Sequence, residues 1–173
     1  MSLEETRSSE LLAVAGELSI PVDPRRIATH LGLRVAEAAF NDELSGLLVR
    51  DSEMTAIVVR ESEPETRKRF TIAHELGHFV LNHPGDLFVD TLTFNRRDNR
   101  VGIAIDPLEM QANAFAAALL MPANALRSAV ATLVESKNVI DRTHLIDTLA
   151  RQFEVSTQAL EFRLISLGFL SPA

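Results

Sequence analysis

His74, Glu75 and His78 are the residues whose types and spacing could do chemistry together, within RFTIAHELGHFVLNH over residues 69–83. On a helix the two histidines share one face, one turn apart. That is close to the spacing at which two imidazoles hold one tetrahedral Zn²⁺. Glu75 is rotated by roughly 100° around the axis. It is badly placed as a third ligand and well placed to reach a water at an open metal position. The chemistry would be hydrolysis. The metal lowers the water's pKa, and Glu75 takes its proton and passes it to a leaving amine. The plainer reading is a polar stripe on a buried helix. Phe70, Ile72, Ala73, Leu76, Gly77, Phe79, Val80 and Leu81 make most of the remaining surface apolar, so burial is expected. A buried His-Glu-His group is costly without a partner, and a cation is one such partner.

A zinc site needs a third ligand. The chain has no cysteine, so the choice falls on His, Asp or Glu. His83 follows His78 by five residues, without the glycine turn and later histidine of the metzincin pattern. It is expected to be a helix-end histidine near the last carbonyls. Glu109, in LEMQANAF, is the better candidate, and Asn113 shares its helical face, where its amide could orient a histidine ligand. Glu109 has a second reading. Asp106-Pro107-Leu108-Glu109 fits a capping box, with Glu109 reaching back to the Asp106 amide. Spacing leaves both roles open.

Several elements must position these residues. Leu11, Leu12, Ala15 and Leu18 repeat at helical spacing over residues 8–18. DPRRIATHLG has Asp23 as cap, Pro24 in the first turn and Gly32 as the stop. SGLLVR and TAIVVR, split by Asp51-Ser52-Glu53, read as a β-hairpin. Ser62 and Glu65 mark the start of the long helix, which should stop at His83-Pro84-Gly85. Residues 86–105, with TLTF, NRRDNR and VGIAI, read as two short strands, a flap or a surface segment. A helix from Asp106-Pro107 ends at Pro122, and an Ala-rich one covers about 123–136. The tail reads as two helices broken at Val155-Ser156, the second ended by Gly168.

With 173 residues, 46% of them hydrophobic, the chain can bury a core. Its net charge of −7 repels a phosphate backbone as a whole, so nucleic acid is not the default partner. Residues 1–25 lack a basic start followed by an apolar run, so no secretory signal is expected. No membrane span is expected either. A soluble cytoplasmic protein is the simplest expectation.

RFTIAHELGHFVLNH, followed by EMQANAFAAALLMP, resembles the ImmA/IrrE family of metallopeptidases. The hairpin text SGLLV and AIVV and the tail LARQFEVSTQALEFRLISLGFL are similar to the family too, so the likeness runs from about residue 20 onward. The resemblance implies an α+β fold. It would be a mostly helical zincin-like domain over 1–136, with a small antiparallel sheet or hairpin before the active-site helix. A C-terminal helical, helix-turn-helix-like subdomain over 137–173 would pack on it. It also implies His74, His78 and Glu109 as ligands of Zn²⁺ (Mn²⁺ or another divalent metal being possible), Glu75 as the catalytic residue and Asn113 behind a ligand. It favours the ligand role for Glu109. Family members cleave or inactivate Xre-type helix-turn-helix repressors, releasing genes of mobile elements or stress responses. Some work in toxin–antitoxin-like modules.

Three functions compete. The leading one is a zinc endopeptidase whose peptide substrate adds a strand at the edge of the hairpin sheet. The second is a metal-containing binding protein that antagonises a repressor without hydrolysis. The third is DNA binding by the tail helices. Arg142, Arg151 and Arg163 against Asp141, Asp147, Glu154 and Glu161 suit phosphates poorly. With no tyrosine in the chain, the oxyanion would fall to His144, His83, Arg69 or Arg96.

Overall fold

The computed structural model describes residues 2–17, 19–40, 44–51, 54–85, 87–91, 106–136 and 141–172. Helix α1 (Leu3–Ala15) is capped by Ser2, whose hydroxyl accepts from the Glu5 amide, and ends where Gly16 takes φ 64°. It thus starts earlier and stops sooner than the apolar repeat suggested. The cap and the left-handed glycine, not the leucines, set its ends. Leu18 lies outside the described residues. Helix α2 (Pro24–His30) follows its sequence signals: Asp23 accepts from the Arg25 and Arg26 amides, and Gly32 sits at φ 79°.

Strands β2 (Leu44–Arg50) and β3 (Thr55–Arg60) form the expected antiparallel hairpin, with Leu48 opposite Ile57. The sheet is larger and mixed. Strand β1 (Arg34–Ala38) lies parallel to β3, and β4 (Leu87–Thr91) lies antiparallel to β2, giving the order β1-β3-β2-β4. Both hairpin strands are therefore internal, and among the described residues the edges are β1 and β4. A peptide could not add to the hairpin itself. The β1 sequence RVAEA buries little, so its pairing direction follows from the fold around it rather than from its own pattern. Strand β4 uses the start of the ambiguous stretch. Residues 92–105, including Arg96 and any flap, lie outside the described residues.

Helix α3 (Glu65–Val80) carries the histidines. Pro64 holds its N-cap position and no side chain caps it, so the box expected from Ser62 and Glu65 does not form. A proline's fixed φ already aims the chain into the helix. Helices α4 (Pro107–Leu120), α5 (Ala123–Glu135), α6 (Arg142–Phe153) and α7 (Thr157–Ser166) follow. The layout is α+β and mostly helical.

Helix α3 lies between the sheet and the helical layer. Leu48, Ile57 and Val59 from the hairpin, Ile72 and Leu76 from α3, and Phe115 and Leu119 from α4 are fully buried in one core. Leu149 and Phe153 of α6 and Leu160 and Leu164 of α7 join that same cluster. Gly46 lets β2 lie against α3, since a Cβ there would overlap the Thr71 side chain. Buried Arg69 ties α3 to its surroundings. Its Nη2 donates to the Val22 carbonyl at 2.7 Å and its Nε to the Glu154 carbonyl at 3.1 Å. Among the described residues no single helix is long and apolar enough to cross a membrane.

Candidate metal centre

Two glycine-dependent contacts put α3 where its histidines can work, and the second decides the site. At Gly77, one turn beyond His74, a Cβ would stand 3.0 Å from Ala112 Cα and 3.1 Å from Ala112 O. The backbones of α3 and α4 therefore touch. Glu109 and Asn113 flank Ala112 on the α4 surface and are carried against the histidines.

His74 Nε2 and His78 Nε2 are 3.0 Å apart. Glu109 reaches both, with Oε2 3.2 Å from His74 Nε2 and Oε1 3.3 Å from His78 Nε2. Both oxygens of Glu109 thus face the imidazoles, while the cap of α4 comes from Asp106, whose Oδ1 accepts from the Leu108 amide at 2.9 Å. His74 Nδ1 donates to Asn113 Oδ1 at 2.9 Å. The place of Glu109 against the His74 imidazole first, then that of His78, holds its carboxyl well below the usual carboxylate range, although burial opposes them. Glu109 is an acceptor-only carboxylate at neutral pH.

These residues fit a metal ion. One ligand atom each from His74, His78 and Glu109 lie within 4.8 Å of one another. With the Nδ1 protons of both rings turned outward, two neutral imidazoles point their Nε2 lone pairs at each other and at a carboxylate. Three electron-rich atoms so close together call for a cation between them. Glu75 is fully buried beside them, as are His74 and His78, whereas the Glu109 side chain is 39% exposed. Among the described residues the cluster is therefore buried on the α3 side and exposed at Glu109.

His83 does something the sequence did not suggest. Its backbone N–H bonds the His78 carbonyl at 3.1 Å, as a helix-end residue should. Its ring, however, is buried in the site, with Nδ1 3.0 Å from His78 Nδ1 and Nε2 3.1 Å from Gln111 Oε1. Asn82, at φ 54°, turns the chain back to put it there. Burial, followed by His78, pushes the His83 ring below its ordinary pKa. Arg50 of β2 braces the same corner: Nη2 donates to the His78 carbonyl and Nη1 to the His83 carbonyl, each at 2.8 Å. Periodicity hides these partners. Gln111 is two residues from Glu109, a spacing that does not share a helix face, and Arg50 comes from a distant strand.

Of the oxyanion candidates, Arg69 and His83 are committed to the contacts above. His144 lies in the first turn of α6, its amide bonded to Asp141 Oδ1 at 2.8 Å. A cleft of about 1060 Å³, bordered by Phe70, Arg67, Ala117, Arg127 and Phe162, reaches Asn113 at the edge of the cluster.

Residues 28–165 match the Peptidase M78 family, described as the IrrE N-terminal-like domain, and the chain belongs to that family. The chain is similar to the radiation response metalloprotease IrrE of Deinococcus radiodurans, at 30% identity over 66% of this chain and 32% of that protein. It is also similar to the uncharacterized immunity region protein 2 of Bacillus phage phi105, at 28% identity over 58% of this chain and 59% of that one. The chain spans less than two thirds of the length of either. A Mycobacterium tuberculosis transcriptional regulator shares the fold, with a TM-score of 0.61 and 15% identity over 95% of this chain and 47% of that one. The three-residue cluster of this family member is compatible with a divalent metal.

Proposed function

We propose that the chain is a zinc endopeptidase that cleaves a protein substrate, an Xre-type helix-turn-helix repressor, and so derepresses the genes that repressor controls. The observation that carries this is the convergence of His74, His78 and Glu109 beside fully buried Glu75. A zinc ion held by those three residues would supply Lewis acidity and lower the pKa of an attacking water. Glu75 is the proton carrier: it accepts from the water and delivers to the leaving amine. Asn113 holds His74 with its Nε2 towards the cluster. Manganese or another divalent ion would suit the same donors.

The relatives support a regulatory rather than a digestive role, since one is a radiation response metalloprotease and another comes from a phage immunity region. The substrate peptide would add to β4. Arg50 of β2 grips the histidine end of α3, and Val49 pairs with Leu87 of β4, so that edge lies nearest the cluster. Edge β1 lies at the other end, where Glu37 meets Lys68. Residues 137–173 would act in this reading as a helical subdomain that helps dock the repressor. Arg142 pairs with Glu161 at 2.8 Å, and buried Arg163 pairs with Glu5, which supports protein docking over direct DNA contact.

The test is cleavage of a candidate Xre-type helix-turn-helix repressor by wild type and Glu75→Gln. The variant should retain zinc and repressor binding and lose about 10²–10⁴-fold or more in cleavage rate. Derepression by Glu75→Gln as strong as by wild type would overturn hydrolysis in favour of a binding protein that antagonises the repressor.

A further inference from the structure

Resting on the metal reading above, we propose that Gln111 and His83 form a hydrogen-bond relay that sets the tautomer of His78, making both positioning residues for that ligand. The relay reads from its outer end. The Gln111 amide oxygen faces His83 Nε2 at 3.1 Å, and an amide oxygen only accepts. His83 Nε2 therefore carries the proton. In a neutral ring the other nitrogen is then an acceptor, so His83 Nδ1 presents its lone pair to His78 Nδ1 at 3.0 Å. His78 must donate from Nδ1, which leaves its Nε2 lone pair aimed at His74 Nε2 and Glu109.

The reversed chain would be self-consistent and inert. A donor at the Gln111 end would place the His83 proton on Nδ1 and the His78 proton on Nε2, where it would block ligation. The direction is thus decided at one amide on the α4 surface. The relay does for His78 what Asn113 does for His74: each ligand has a fixed acceptor behind Nδ1. The difference is an intervening imidazole. It is held in place by Asn82 in the left-handed region and by Arg50 on the His83 carbonyl at 2.8 Å. Gln111 is half-buried and lies outside the apolar core, so replacing it should spare the fold.

The test has two arms. In the first, ¹⁵N spectra of unaltered metal-free protein report which ring nitrogen of His83 is protonated. Protonation at Nε2 is expected, and protonation at Nδ1 would overturn the relay. In the second, zinc affinity is measured by chelator competition. Gln111→Leu should weaken binding about 10–100-fold at an unchanged melting temperature. Gln111→Glu, which keeps an acceptor, should restore the wild-type value or exceed it. Zinc binding by Gln111→Leu equal to wild type would overturn the proposal while leaving the metal site intact. A wild type that takes up no zinc would instead overturn the metal reading itself, and the relay's purpose with it.

Discussion

Replacing Gly77 by alanine should separate the stability of this protein from its affinity for metal. The new Cβ would lie 3.0 Å from Ala112 Cα and 3.1 Å from Ala112 O, both backbone atoms. Comfortable carbon contacts are about 3.5–4.0 Å, so α4 must retreat by about half an ångström. Overpacking of this kind costs about 1–3 kcal/mol. Alanine returns about 1 kcal/mol through its better helix propensity. The net loss should be about 0–2 kcal/mol, with a drop in melting temperature of about 2–4 °C for each kcal/mol in a domain of this size. The metal site has less tolerance. Glu109 and Asn113 move with α4, and constellations of this kind work only within about half an ångström of their proper geometry. Zinc affinity should therefore fall by more than about tenfold. Urea unfolding of the metal-free protein and chelator competition measure the two effects separately. A Gly77→Ala protein stabilised by the full propensity gain, with unchanged zinc affinity, would refute the claim that backbone contact sets the ligand geometry.

Arg50→Met removes donors from the His78 and His83 carbonyls, both at 2.8 Å. Charged hydrogen bonds are worth about 1.5–3 kcal/mol each, and Arg50 is only half-buried, so a loss of at least about 1.5 kcal/mol in urea unfolding is expected; an unchanged midpoint would contradict the brace. Glu37 is held below the usual carboxyl range, first by its hydrogen bond with Lys68 and then by Arg25, each at 2.6 Å. Its folded pKa lies below its unfolded one. That contribution is therefore complete at neutral pH and is lost as the pH falls below about 4.5 and through the depressed folded value. Wild type should melt slightly above Glu37→Gln near neutrality, and the gap should close once the pH is below the depressed folded pKa; a gap that persists in strong acid would exclude this pair as its cause. Zinc at a thousandfold excess over its dissociation constant should stabilise the fold by about 4 kcal/mol. A chelator should abolish that gain in wild type and change nothing in Glu109→Ala.

Much of this architecture was legible because single residues carried it. Asp23-Pro24 and Gly32 bound α2, Ser156 caps α7 with an acceptor for the Ala159 amide at 3.1 Å, and alternating β-rich text revealed the hairpin. His74 and His78 stood out because helical spacing puts them on one face, and Glu75 because it stands beside them in the sequence. The parts that stayed hidden depend on distant partners. Strand β1 is too polar to announce its pairing. Glu109 could be read as a cap or a ligand until α4 was seen packed on Gly77. His83 reads as a helix-end residue because its backbone does end the helix; only the turn at Asn82 and the arrival of Gln111 from α4 place its ring behind His78. Side-chain relays between elements leave no periodic trace.

Metal content tests the central claim most directly. Elemental analysis of the purified protein, after reconstitution with zinc and removal of excess, should find about one zinc per wild-type chain. His78→Ala and Glu109→Ala should retain little or none while remaining folded. Zinc kept by Glu109→Ala would contradict the His74–His78–Glu109 centre, and zinc absent from the reconstituted wild type would contradict the metallopeptidase account as a whole.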